Sequence, residues 1–185
     1  MSEGDVMPEE TSETTATDDY EVRLDIPFLE QPLSHTPETE MIQREEWNLK
    51  NPPLDVTLVK NLKELPLVAR EFRNTKARFF KLTGDRRLQP HLSEMAGGGK
   101  SVKHRHTTEA VMFIVKGHGY TTMRYEGGEE HRLDWEEGDM FGIPLWSWHQ
   151  HFNSSNTDTA RYLAIQDTLA LKSLGLHQIE RHPDQ

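Results

Sequence analysis

Between Thr75 and Asp167 the chain is a succession of short β-rich runs: ARFFKLT, LQPHLSEM, SVKHRH, AVMFIVKG, GYTTMRY, EHRLDW, DMFGIP, WHQHFN and RYLAIQD. Gly, Asp and Asn turns separate them, and the Gly127-Gly128 pair between two of them is a hairpin signal. Many short strands at regular spacing argue for an antiparallel sandwich or barrel. About 90 residues are enough to enclose a modest core. The expectation is an all-β body with the remaining segments arranged around it.

Those segments differ in character. Residues 1–20 are acidic and rich in Ser and Thr, with little to bury, and read as a disordered, solubilising tail. Residues 21–57 hold five prolines and scattered apolar residues, from Leu24, Ile26 and Phe28 to Trp47 and Leu54. They read as an extended arm that packs on the body or on a partner subunit, which favours a homodimer or higher homo-oligomer. In LVKNLKELPLVAREFRN, Leu58, Leu62 and Leu65 have helical spacing, and Pro66 should open a second short turn. The closing TLALKSLGLHQIE is weakly helical. The division is a tail at 1–20, an arm with a short helix at 21–74, and a barrel with a C-terminal extension at 75–185.

The formal charge of −10 is unevenly spread: residues 1–50 hold 14 acidic and 3 basic side chains, and the remainder 17 and 18. Nothing is basic enough to track a phosphate backbone, so nucleic acid is not an expected partner. With no cysteine, disulfides, thiolate metal sites and a cysteine nucleophile are excluded. The N-terminus lacks the basic start and apolar core of a signal peptide, and no apolar run approaches membrane-spanning length. A soluble cytoplasmic protein is the simplest expectation.

Within the β-rich region, His104 and His106 form an HxH in HRHTTE, and His149 and His151 form another in WHQHFN, 43 residues after His106. Residues at i and i+2 of a strand share a face. One such pair reads equally as a polar strand face in water. Two pairs on neighbouring strands can supply three imidazoles to one face of an ion, leaving the other face open to water, substrate or O2. Neutral imidazole suits Fe, Zn, Ni and Cu.

GGKSVKHRHTTEAVMFIVKG (98–117) has a glycine, five residues, HxH and a closing glycine; GDMFGIPLWSWHQHFN (138–153) has Gly138, Pro144, His149 and Asn153 in step. These stretches resemble the two motifs of the cupin family. One usual glycine, two after the proline, is Trp146 here. The resemblance implies a double-stranded β-helix, the cupin jelly-roll barrel. It implies His104, His106 and His149 as metal ligands, with His118, His131, His177 and His182 as surface or loop imidazoles. Asn153 fits a structural turn position better than a catalytic one.

Many metal cupins add a glutamate seven residues before the closing glycine, and that position is Ala110 here. Glu109 is one residue away, and a one-residue offset reverses the strand face, so it should point away from the metal unless a bulge intervenes. HRHT…A together with WxWHxHxN resembles gentisate 1,2-dioxygenase and related ring-cleaving enzymes, which hold Fe(II) with three histidines. Those enzymes carry two cupin domains and this chain has room for one. The resemblance implies an Fe(II)-dependent dioxygenase (Ni, Mn or Zn being the alternative metals) that uses O2 on a hydroxylated aromatic acid. Three neutral ligands leave the ion's charge for a bidentate anionic substrate to balance. A diketone- or hydroxyketone-cleaving dioxygenase and a non-redox lyase or isomerase remain alternatives. His151 shares parity with His149 and is the candidate acid/base. Gln166 and Trp148 are candidate substrate contacts. Arg105, between two inward histidines, should face outward.

Overall fold

The computed structural model describes residues 37–184. All nine β-rich runs form strands: β3 (Thr75–Leu82), β4 (His91–Met95), β5 (His104–His106), β6 (Ala110–Lys116), β7 (His118–Arg124), β8 (His131–Glu136), β9 (Met140–Ile143), β10 (Trp148–Asn153) and β11 (Ala160–Gln166). Flanking them are α1 (Pro37–Lys50), β1 (Leu54–Val56), β2 (Val68–Arg70), α2 (Thr168–Ser173) and β12 (Ile179–Arg181). The acidic tail and the start of the arm lie outside the described residues.

The strands form two sheets. One runs β1-β3-β4-β11-β6-β9 with β2 on β3, and the other runs β12-β5-β10-β7-β8. Strands that are neighbours in space but distant in sequence, such as β4-β11-β6 and β5-β10-β7, mark a chain that winds between the sheets, as a jelly roll does. Alternation sorts each strand into two faces. Ala160, Tyr162, Ala164 and Gln166 of β11 are buried, and so are Ala110, Met112 and Ile114 of β6. With Met95, Trp135 and Ile143 they line the space between the sheets. The β7–β8 hairpin turns at Gly127-Gly128, where the Gly128 N–H donates to the Tyr125 carbonyl at 3.0 Å.

The helix expected across Leu58, Leu62 and Leu65 does not form. Asn61 takes a left-handed φ of 53°, and the segment runs as loops and turns until β2. Its leucines are held from outside: Leu62, Leu65 and Leu67 pack with Phe80, Leu92 and Val115. Arg161 Nη1 donates to the Leu62 and Leu65 carbonyls, each at 3.0 Å, while its Nε donates to Glu94 at 2.6 Å. The helix falls instead in the segment read as extended arm. On α1, Glu40, Arg44 and Trp47 share one face by their spacing. Glu40 and Arg44 are buried there, and Trp47 donates to the Ala69 carbonyl at 2.7 Å. Because Arg44 lines the barrel cavity, α1 acts as one of its walls. No helix among the described residues is long and apolar enough to cross a membrane.

The turn before β10 shows why a motif glycine would be used there. Trp146 stands in the left-handed region at φ 59°, a conformation that disfavours a bulky residue. Its ring lies under the Arg105 guanidinium at 4.6 Å. Gly119 of β7 has a different constraint. A Cβ there would collide with the Phe152 carbonyl oxygen and lie 2.5 Å from the Trp135 ring. Trp135 in turn donates to Thr121, which bonds His151. Gly119→Ala is therefore expected to lower stability by about 3 kcal/mol through overpacking. Denaturant unfolding of both proteins checks this, and an unchanged midpoint would refute the close packing.

Candidate metal centre

The β5–β10 pairing sets His149 opposite His104. His106, two residues along β5, shares the face of His104. Ring centroids are 4.2 Å apart for His104 and His149, 4.8 Å for His106 and His149, and 5.6 Å for His104 and His106. One nitrogen from each lies within 4.8 Å of the others. All three are buried, at 8, 4 and 1 % exposure for His104, His106 and His149.

The hydrogen bonds decide which nitrogen is available. Nδ1 of His104 meets the Val102 carbonyl at 2.8 Å, Nδ1 of His106 the Thr108 carbonyl at 2.9 Å, and Nδ1 of His149 the Ser147 carbonyl at 2.9 Å. A carbonyl only accepts, so each Nδ1 carries the proton and each Nε2 keeps its lone pair. Outer hydrogen bonds of this kind hold metal-ligating imidazoles in one tautomer and orientation. Burial pushes all three pKa values down, that of His149 to about 4, and the charge of Arg73 and of neighbouring imidazoles lowers His104 and His106 further. Three neutral imidazoles converging on one point therefore fit a divalent transition metal.

Ala110 lines the cavity at the position where a carboxylate ligand was sought, and Glu109 is exposed. The backbone N–H of Glu109 donates to Asp167 Oδ1 at 3.0 Å. Among the described residues the donor cluster contains only the three histidines.

His151 also lines the cavity, at 3 % exposure. Its Nδ1 and the Thr121 hydroxyl are 2.9 Å apart, and that hydroxyl accepts from Trp135 Nε1 at 3.0 Å. Gln166 lines the cavity too, with its amide donating to His106 Nε2 at 3.2 Å, a contact that an ion on that nitrogen would replace. Trp148 is a correction. Strand alternation sends it to the opposite face of β10 from His149 and His151. There its Nε1 donates to Glu126 at 2.9 Å and its ring stacks on Arg105 at 4.3 Å. It does not wall the pocket. Arg105 faces outward as expected and pairs with Glu180 at 2.7 Å and Glu126 at 3.2 Å. Asn153 is structural: its amide donates to the Ala96 and Asp158 carbonyls at 2.8 and 2.7 Å. His118 and His131 are exposed, whereas His177, in the loop before β12, is buried.

Sequence reading missed several cavity residues. His91, Arg44, Arg70, Arg73 and Tyr162 all line it. His91 stacks on Phe79, with centroids 4.7 Å apart. Its pKa is pushed well down by burial, then by Arg70 and Arg44. A lone histidine opening a strand carries no ligand spacing to reveal it. The arginines come from α1, from β2 and from the 3₁₀ turn Glu71–Arg73, outside both histidine motifs.

Replacing His104, His106 or His149 by Ala is expected to reduce the bound metal to a small fraction of one ion per chain. Near-stoichiometric metal in His149→Ala would refute its role, and Glu109→Gln should keep the ion. A second test concerns acid. In an unfolded chain each imidazole protonates near pH 6.5, and the buried rings do so only at lower pH. The stability from keeping them neutral is thus present above about pH 6.5 and is lost as pH falls toward their folded values. Each ring contributes a slope of up to ~1.4 kcal/mol per pH unit. Metal-free protein should lose stability between pH 7 and 5.5, less steeply in His91→Gln; equal slopes would show that His91 does not contribute.

Residues 91–166 match the family model described as "Cupin domain". The chain is 36% identical over 76 residues to a 5-aminosalicylate 1,2-dioxygenase of a Comamonas species. It is 38% identical over 81 residues to a 1-hydroxy-2-naphthoate 1,2-dioxygenase of Nocardioides sp.. These matches take in 40 and 44% of this chain, which spans only about a fifth of the length of either relative (18 and 20%). Among solved structures it resembles the salicylate 1,2-dioxygenase of Pseudaminobacter salicylatoxidans, with a TM-score of 0.52 at 15% identity over 78% of this chain and 37% of that one. It also resembles the oxalate decarboxylase of Lactobacillus farciminis, with a TM-score of 0.50 at 17% identity over 58% of this chain and 32% of that one. The cupin-domain match, at residues 91–166, takes in the three clustered histidines and the strands that aim them.

Proposed function

We propose that the protein is an Fe(II)-dependent dioxygenase that opens the ring of a hydroxylated aromatic acid with O2. The observation that carries this reading is the absence, among the described residues, of a carboxylate from the donor set: three neutral histidines, with Ala110 where an acid would stand. The ion would supply a Lewis-acid template for substrate and O2 and an electron path between them. A site of neutral ligands favours a substrate that brings its own negative charge as a chelating pair, such as a carboxylate beside a phenolate. The buried arginines beside the histidines favour an acid over a neutral diketone. The matched relatives are named as dioxygenases of aminosalicylate and hydroxynaphthoate, which have that pair.

The chain's own groups have defined parts in this reading. His104, His106 and His149 would hold the ion, each Nδ1 being taken up by a backbone carbonyl. In this reading the Thr121 hydroxyl, one lone pair filled by Trp135 Nε1–H, donates its proton to His151 Nδ1. That leaves the proton of the neutral His151 ring on Nε2, as a donor toward a developing oxyanion in the cavity. The Gln166 amide, already at the inner edge of His106, is placed to donate to a substrate oxygen. Ala110, Met112, Ile143 and Ala164 supply apolar walls that take the ring and exclude water.

The test is anaerobic loading with Fe(II), followed by O2 uptake across hydroxybenzoates, catechols and diketones. Uptake with salicylate-like acids, with both oxygen atoms entering the product, is expected. Uptake with diketones alone would overturn the substrate class. No uptake with any chelator, alongside turnover by a Zn or Ni form, would overturn the dioxygenase reading. His151→Gln should lower kcat by about a hundredfold or more while retaining metal.

A further inference from the structure

Three guanidinium groups line the same cavity as the histidines: Arg44 of α1, Arg70 of β2 and Arg73 of the following turn. They are 4, 4 and 6 % exposed. One carboxylate is built in against them. Glu40 pairs with Arg73 at 3.2 Å and with Arg181 at 3.0 Å. Among the described residues Arg44 and Arg70 have no ion-pair partner. Among the described residues, buried Nε and Nη2 of Arg44, Nε of Arg70 and Nη1 of Arg73 meet no acceptor. Such groups are costly to bury without one.

Aromatic rings hold the guanidinium groups without satisfying them. Arg70 lies 5.6, 5.2 and 5.2 Å from the ring centres of Trp47, Phe72 and Phe79, and Arg44 lies 5.3 Å from that of Phe79. A ring face stabilises the cation, but the guanidinium's N–H groups lie in its plane and still need acceptors. The electrostatics agree. Burial, then the charge of Arg73, lowers the Arg44 pKa to about 10, and burial with Arg73 and Arg44 drives that of Arg70 well down. Glu40 raises both but is already shared between two other arginines. An unneutralised divalent ion would add to the same positive field.

We propose that the substrate is a dianion, chelated through its acid end at the histidines and holding a second carboxylate-like group at Arg44 and Arg70. This rests on the reading of an acid chelated at the three histidines, and it goes further by requiring a second anionic group remote from the chelating pair. The fork of N–H donors on each guanidinium suits a carboxylate, and the flanking Trp47, Phe72 and Phe79 suit an aromatic or planar acid. α1 is then part of the substrate site.

The experiment compares salicylate with its 4-carboxy and 5-carboxy derivatives. Binding to the zinc-loaded full chain is measured by calorimetry, where no turnover intervenes, and the metal content of every sample is determined. At least one dianion is expected to bind about tenfold or more tightly than salicylate, as hydrogen bonds to a charged group imply. That preference, taken as the ratio of the two affinities within each protein, should vanish in Arg44→Gln and in Arg70→Gln and survive in part in Arg44→Lys. Equal affinity of wild type for mono- and dianions, no binding of either dianion, or a preference that survives both glutamine substitutions would overturn the proposal. The wild-type comparison decides even where a variant fails to fold. A lack of O2 uptake would count against the dioxygenase reading and leave this preference measurable, so the two can fail separately.

Discussion

The site depends on one cross-strand pairing, His149 of β10 opposite His104 of β5. With that register, alternation brings His106 and His151 to the same face. A slip of one residue would present Arg105, Trp148 and Gln150 instead. The register is therefore secured by contacts beyond the pairing itself. On the outer side, Arg105 is held by Glu180 and Glu126, and Trp148 donates to Glu126. Along β10, the His151 backbone N–H donates to Ser101 Oγ at 3.0 Å, and the Gln150 side-chain amide, on the face of Trp148, donates to the Ser101 carbonyl at 2.6 Å. β12 adds a further rail through Ile179↔His106 and Arg181↔His104. The outer polar cluster thus serves the inner chemistry by fixing phase.

The β-body was legible because its signal is local: nine runs with turn residues between them, each a strand in the structure. The histidine cluster was legible for the same reason, since a period of two within each HxH specifies a shared face. Glu109 could be turned outward by counting alone. Trp148 illustrates the opposite failure. The same parity that placed His151 inward places its neighbour Trp148 outward, but aromatic character suggested a pocket wall. Leu58, Leu62 and Leu65 had a helical period without a helix. Leu62 and Leu65 are half-buried by docking on the outer face of a sheet while Leu58 stays exposed, and Asn61, Pro66 and Arg161 set a path that periodicity does not encode.

α1 was invisible to hydrophobic patterning for a specific reason. Its inward face is Glu40, Arg44 and Trp47, so the residues that repeat at helical spacing are largely charged. A charged stripe ordinarily marks the solvated side of a helix. Arg70 and Arg73 were equally opaque, because nothing in AREFR distinguishes a buried guanidinium from an exposed one. Only the assembled cavity shows that three separate elements deliver positive charge to one place.

That convergence bears on why the arm is present. An apolar helix face would have closed the barrel at lower cost, because buried charges seldom recover their desolvation in full and a well-packed apolar substitute is often as stable or more so. Here α1 buries Arg44 without an ion-pair partner among the described residues, beside Arg70 in the same condition. The donor set contributes no negative charge either, since its three rings are neutral and Ala110 stands at the acid position. The two halves of the cavity therefore share one deficit. The histidine side lacks anionic charge to set against a metal, and the arginine side lacks acceptors for its N–H groups. A single bound molecule with negative charge at both ends would satisfy the two together, and stability alone gives no reason for either.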